Sequence, residues 1–138
     1  MEATILLVED EPIFRRNLVL FLKAAGYSVA DAESGRVALH LMNSSTFDAV
    51  ISDYRLGNTV TGLDVLNRFE QHFPGKSKIL LSGTSTDLEP RCESMGAVFM
   101  HKPVQLEELL TKLKNLLTRA KSAWQSKANR NEDHEHRD

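Results

Sequence analysis

Glu9, Asp10, Asp53, Ser82 and Lys102 are the side chains here best suited to phosphoryl chemistry, and each follows an apolar run. Ile5-Leu6-Leu7-Val8 leads into Glu9-Asp10-Glu11, and Ala49-Val50-Ile51 leads to Asp53. Ile79-Leu80-Leu81 stops at Ser82-Gly83, and Val98-Phe99-Met100 reaches Lys102-Pro103. Converging carboxylates suit Mg2+, a hard cation that takes one or two of them, keeps several waters and adds phosphate oxygens. An aspartate can attack phosphorus to form an acyl phosphate. A metal and an ammonium would offset charge on the transferring oxygens, and a hydroxyl would donate to one of them. Asp53 is the best nucleophile candidate because it stands alone at its strand end. Glu9 and Asp10 are adjacent like charges, which a cation would hold together.

Continuous apolar runs bounded by turn residues, alternating with helical patterns, read as parallel strands buried on both faces. In an open parallel sheet the ligand site lies beyond the carboxyl ends of the strands, so groups distant in sequence meet at one edge. Pro12 suits the first turn of a helix in which Phe14, Leu18, Phe21, Leu22 and Ala25 share a face and Gly26 ends the run. A weaker strand covers Ser28 to Ala32, and Ser34 caps a helix through about Met42 with Val37, Ala38 and Leu41 inward. Beyond Asp53 a loop runs from Tyr54 to Thr61. A helix bearing Leu63, Val65, Leu66 and Phe69 then ends before Pro74-Gly75. The fourth strand is Lys78 to Ser82, a weak helix spans roughly Asp87 to Ser94, and Gly96 turns the chain into the fifth strand. Leu106, Leu109, Leu110, Leu113, Leu116 and Leu117 repeat at helical spacing in the last helix. Five strands alternating with five helices predict an α/β fold with a doubly wound, five-stranded parallel sheet.

The 138 residues amount to one domain. We expect it to occupy 1–120, with 121–138 a polar tail, helical for a turn or two through Ala120, Trp124 and Ala128 and then disordered. Trp124 reads as an anchor packing the helix end onto its own domain, or more sharply as a dimer or partner contact. A net charge of -2 gives no basic face for nucleic acid. Cys92 has no partner for a disulfide or a cysteine metal site. Met1-Glu2-Ala3-Thr4 does not begin a signal peptide, and no apolar stretch approaches the roughly 18 residues of a membrane helix. A cytoplasmic protein without membrane contact is the expectation.

Glu9-Asp10, Asp53, Ser82-Gly83 and Lys102-Pro103, in that order and each after its own strand, resemble the receiver domain of two-component response regulators. The resemblance runs from about Thr4 to Thr118 and implies a flavodoxin-like, CheY-like sheet. It implies that Asp53 accepts a phosphoryl group from a histidine kinase or histidine phosphotransfer protein. Mg2+ would then be held by Asp10, Asp53, the backbone carbonyl of Arg55 and, mostly through water, Glu9. Ser82 and Lys102 would bind the phosphoryl group, Phe99 would be the aromatic that rotates with Ser82, and the bond before Pro103 would be cis. Arg55 and Thr84 occupy variable positions that would modulate phosphate lifetime. The implied output is a changed affinity for a downstream protein, or a homodimer, at the face of helix 4, strand 5 and helix 5. Such a protein is a switch first, and an enzyme only in catalysing its own phosphorylation and hydrolysis. The sequence departs from the family at Gly57, where a proline is usual, and Gly57-Asn58-Thr59-Val60-Thr61 is about one residue longer than the common loop. Glu9 replaces the commoner aspartate, and Phe99 lacks the hydroxyl of a tyrosine.

Blander readings exist for each residue. Glu9, Asp10 and Glu11 suit a helix N-terminus, Lys102 suits a solvated strand end, and Ser82-Gly83-Thr84-Ser85 suits a polar turn. His101 reads as a strand residue facing a helix, and His134 and His136 are a weak metal signal in the tail. A haloacid-dehalogenase-type phosphatase would need Asp-x-Asp after the first strand, and a P-loop would need Gly-Lys-Ser/Thr; neither is present. A flavin site would want a hydroxyl-rich loop where acids stand. The alternative that remains is a degenerate receiver, a protein-interaction module that works without phosphorylation.

Overall fold

Alternation of buried runs and amphipathic segments produces β1 (Thr4–Val8), α1 (Pro12–Ala24), β2 (Ser28–Ala32), α2 (Gly35–Ser44) and β3 (Ala49–Asp53). The chain continues with α3 (Gly62–His72), β4 (Ser77–Ser82), α4 (Leu88–Ser94), β5 (Val98–His101) and α5 (Leu106–Glu135). This computed structural model describes residues 2–57, 59–84 and 87–135, with side chains through 120. Asn58, Ser85, His136 and the side chains of Trp124 and His134 therefore lie outside the described residues. The strands pair in parallel in the order β2-β1-β3-β4-β5, the doubly wound sheet expected from the pattern.

Strand side chains alternate between the two faces, and each face has its own core. Leu6, Val8, Val50 and Leu80 pack with Ala38, Met42, Leu66, Phe69 and Cys92 from α2, α3 and α4. Ile5, Leu7, Ile51, Ile79, Leu81 and Met100 pack with Leu18, Leu22, Leu109 and Leu113 from α1 and α5. Phe14 and Phe21 are only half-buried on the α1 stripe, and Ala25 is exposed as the C-cap, with Gly26 (φ 101) in the left-handed region just after it. The helix α2 runs past Met42 to Ser44, and β4 begins one residue early at buried Ser77. Lys78 is buried at the amino end of β4, where Glu70 Oε1 at 2.9 Å and the Lys76 carbonyl at 3.2 Å satisfy its ammonium.

Side-chain caps fix the starts of α1, α2 and α3. The Glu11 carboxylate accepts from the N–H groups of Ile13 (3.2 Å) and Phe14 (2.6 Å) ahead of Pro12, so for Glu11 the helix-terminus reading holds. Thr61 and Asp64 cap each other at α3. Immediately after Thr61, Gly62 passes so close to the Asp53 carbonyl that a β-carbon there would collide with it. The Gly62 N–H also donates to the Tyr54 carbonyl at 2.8 Å, which draws α3 onto the end of β3. Gly62→Ala should therefore lower unfolding free energy in urea by about 1–3 kcal/mol, the usual range for overpacking. Gly83→Ala, whose β-carbon meets nothing within 4 Å, should change it by less than about 0.5 kcal/mol.

Candidate functional site

Strand register decides which residues meet. Val8 pairs with Ser52, so Glu9 comes level with Asp53; Asp53 pairs with Leu81, and Ser82 pairs with His101. Backbone bonds continue the ladders one step past the strands. The Glu9 N–H donates to the Ala32 carbonyl (3.0 Å), Tyr54 N–H to Leu81 (2.9 Å) and Lys102 N–H to Ser82 (2.9 Å). Glu9, Asp53 and Lys102 share the parity of Leu7, Ile51 and Met100 and so lean toward the side of α1 and α5. Ser82 and Phe99 have the parity of Leu80, on the opposite face.

On the first side the charges converge. Lys102 Nζ lies 3.0 Å from Asp53 Oδ1 and 3.6 Å from Glu9 Oε1. The same ammonium sits 5.0 Å from the centre of the Phe14 ring, whose π face attracts it. Carboxylate oxygens of Glu9, Asp10 and Asp53 all lie within 4.8 Å of one another. Glu9 and Asp53 are buried while Asp10 is exposed. Burial, the neighbouring Asp53 carboxylate and, to a smaller degree, Asp10 push the Glu9 carboxyl up from its ordinary 4.5 to about 7, against the pull of Lys102. Burial raises Asp53 above the usual aspartate range too, partly offset by its bond to Lys102. Glu9 Oε2 is buried without a hydrogen-bond partner.

A cavity of about 340 Å³ opens over Asp53, lined also by Arg55, Ser82, Gly83, Thr84 and Lys102. The Ser82 hydroxyl is buried and tied to its own turn, accepting from the Thr84 N–H at 3.1 Å and lying 3.2 Å from Thr84 Oγ1. The Lys102–Pro103 peptide is cis. Gly57 has φ 76, and a β-carbon there would stand 3.2 Å from Asp10 Oδ2, so the loop after β3 runs beside the Asp10 carboxylate.

A profile of the response regulator receiver domain matches residues 5–114. The chain belongs to the response regulator receiver family. It is 32% identical over 123 residues to the transcriptional regulatory protein GlrR of Escherichia coli, covering 88% of this chain and 28% of that one. It is 34% identical over 119 residues to the sensor kinase CckA of Brucella abortus, covering 83% of this chain and 12% of that one. The signal receiver domain of a LuxO repressor protein from Vibrio parahaemolyticus superimposes with a TM-score of 0.80 at 29% identity, covering 89% of this chain and 95% of that one. The receiver spans between 12% and 55% of the length of the curated relatives it matches. Among its described residues no helix is long and apolar enough to cross a membrane.

The receiver's five candidate residues do gather at one edge, and Lys102 is paired with Asp53 instead of being left to solvent. Arg55 and Thr84 line the cavity. Phe99 lies outside it, half-buried on the opposite core, with the ring of exposed His101 edge-on at 5.9 Å. His101 thus meets Phe99 where a helix contact was expected. The sequence reading missed the contact of Phe14 with Lys102, although it placed Phe14 on the inward face of α1 at the end nearest the site. It also gave no role to Arg15, whose Nη1 donates to the Glu9 carbonyl at 2.8 Å.

Receiver domains generally bind Mg2+ in an acidic pocket, and this one fits. Its three carboxylates exceed its one ammonium, and the orphaned Glu9 Oε2 is an acceptor awaiting a cation or a water. A carboxyl raised in the native state binds protons more tightly there than in the unfolded chain, so its contribution to stability is lost as pH rises. For Glu9 that contribution is full below 4.5 and is lost as pH rises through about 7. Without metal, the urea midpoint should fall between about pH 5 and 8. Glu9→Gln should flatten the slope, and saturating Mg2+ should flatten it too by competing with the proton. A wild-type slope identical to that of Glu9→Gln would refute this account.

Proposed function

We propose that Asp53 is the phosphoacceptor of a two-component phosphorelay. The single observation that carries this is the 3.0 Å pairing of Asp53 with Lys102 inside a cavity, beside two further carboxylates. In the transfer, an Asp53 carboxylate oxygen forms a bond to phosphorus, the nitrogen–phosphorus bond of a phosphohistidine breaks, and the imidazole leaves and takes a proton. Lys102 neutralises charge on the incoming oxygens and orients the nucleophile. Asp10, Asp53 and the Arg55 carbonyl would hold Mg2+, with Glu9 acting through water. Bound there, Mg2+ would screen the carboxylates from one another and from the phosphoryl oxygens.

The phosphoryl group adds charge and acceptor oxygens where Ser82 can donate. Ser82 then exchanges Thr84 for the phosphoryl group and Phe99 repacks, altering the face of α4, β5 and α5. That face is where a downstream protein or a second receiver would dock. The donor would be a histidine kinase or a histidine phosphotransfer protein, and we place the exchange in the cytoplasm. Nucleic acid has no role at this site, since its charge is acidic.

The test is intact mass after incubation with acetyl phosphate. One phosphoryl adduct should form with Mg2+ and vanish with EDTA or in Asp53→Asn; Lys102→Ala should slow it at least tenfold, the scale of losing a charge stabilising the transition state. No adduct, with Mg2+ binding weak, would leave the interaction-module alternative and implicate the loop at Gly57. A second measurement addresses lifetime. Arg55 borders the cavity and would screen the attacking water, so Arg55→Ala should hydrolyse its phosphoaspartate several-fold faster. An unchanged rate removes that role.

A further inference from the structure

Arg15 stands one turn into α1, outside the cavity. Its side chain is mostly buried, at 17% exposure, and bridges the backbone just past β1 to a side chain of β2. Nη1 donates to the Glu9 carbonyl at 2.8 Å, and Nε donates to Asp31 Oδ2 on β2 at 3.1 Å. Asp31 is 45% exposed, so the ion pair itself adds little to stability. Its geometric effect is larger. The planar guanidinium is fixed at two points, and one of them is the carbonyl that follows β1.

That carbonyl belongs to the peptide plane shared by Glu9 and Asp10. The Glu9 N–H is already held by the Ala32 carbonyl at 3.0 Å, so with Arg15 both backbone polar groups of Glu9 are pinned, each by way of β2. We infer that Arg15, anchored by Asp31, is a positioning residue for the metal-binding carboxylates. Holding the Glu9–Asp10 peptide fixes the directions in which both side chains leave the backbone, although Arg15 touches neither carboxylate. The edge strand β2, which contributes no side chain to the cavity, thereby acts on the site through Asp31. This rests on the Mg2+ reading above.

The test is Mg2+ titration followed by backbone amide shifts, at a temperature where every variant is folded and with no phosphodonor present. Arg15→Ala should weaken Mg2+ binding about tenfold, the lower range for loss of an outer-shell partner. Asp31→Asn should weaken it several-fold, and should add almost nothing on top of Arg15→Ala, because the two act through one contact. A merely structural clamp would move the urea midpoint and leave the dissociation constant of the folded protein alone. Wild-type binding with unchanged constants in both variants overturns the inference by itself. Absence of Mg2+ binding by the wild type overturns the metal reading and the inference with it. Should Arg15→Ala fail to give a native spectrum, Asp31→Asn decides: a several-fold loss supports the positioning role and an unchanged constant refutes it.

Discussion

Three carboxylates share a partly dehydrated pocket with one ammonium, and the rest of the site follows from that imbalance. Lys102 can neutralise one carboxylate, and it lies closer to Asp53 (3.0 Å) than to Glu9 (3.6 Å). Asp10 relieves its own charge by facing water. Glu9 has neither remedy in full, and its raised proton affinity with an unpartnered Oε2 is the consequence. A divalent cation bound among these carboxylates would offset the deficit. The protein therefore holds a destabilising cluster ready for a ligand, as functional sites commonly do.

Keeping such a cluster together requires a stiff frame, and the frame is the buried sheet. Residues of β1, β3 and β4 are almost entirely out of water, so their register cannot slip by one without turning core residues into the wrong layer. Parity then does the sorting. Glu9, Asp53 and Lys102 fall on one side and Ser82 and Phe99 on the other, although all belong to the same carboxyl edge. Close approaches lock the edge further: Gly62 against the Asp53 carbonyl, and Gly35 against Val60, where a β-carbon has no room.

Much of this was legible in the sequence because it depended on strands. Apolar runs of three or four residues marked the strands, and a polar residue one or two positions past each run was Glu9, Asp53, Ser82 or Lys102. The contacts that escaped were those made across elements by side chains with ordinary alternative duties. Phe14 looked like one more apolar residue of an α1 stripe, and Arg15 carried no signal of its own. Only the crossing of α1 over the ends of β1 and β5 brings them to Lys102 and to the Glu9 carbonyl. Glu11 was ambiguous for the same reason: nothing local separates an N-cap carboxylate from a metal ligand two residues away. Helix ends were less readable than strand ends, since α2 continues through Asn43 and Ser44 after its last inward residue.

The division of the edge into two faces also bears on how a phosphoryl group would be sensed. Charge arriving on Asp53 is met on its own side by Lys102, which is already there and needs little movement. Ser82 is engaged elsewhere, with both the N–H and the hydroxyl of Thr84. Trading those neutral bonds for one to an anionic oxygen is favourable, because charge-assisted hydrogen bonds are roughly twice as strong. What opposes the trade is reshaping the Ser82–Thr84 turn and repacking half-buried Phe99 against His101. The extent of the response would then be the small difference between these terms, so a change of one contact at Thr84 or His101 would shift the balance between the two arrangements. On the proposed reading, the acids and the lysine would set whether Asp53 reacts, and Thr84 and His101 would set how far that reaction is felt.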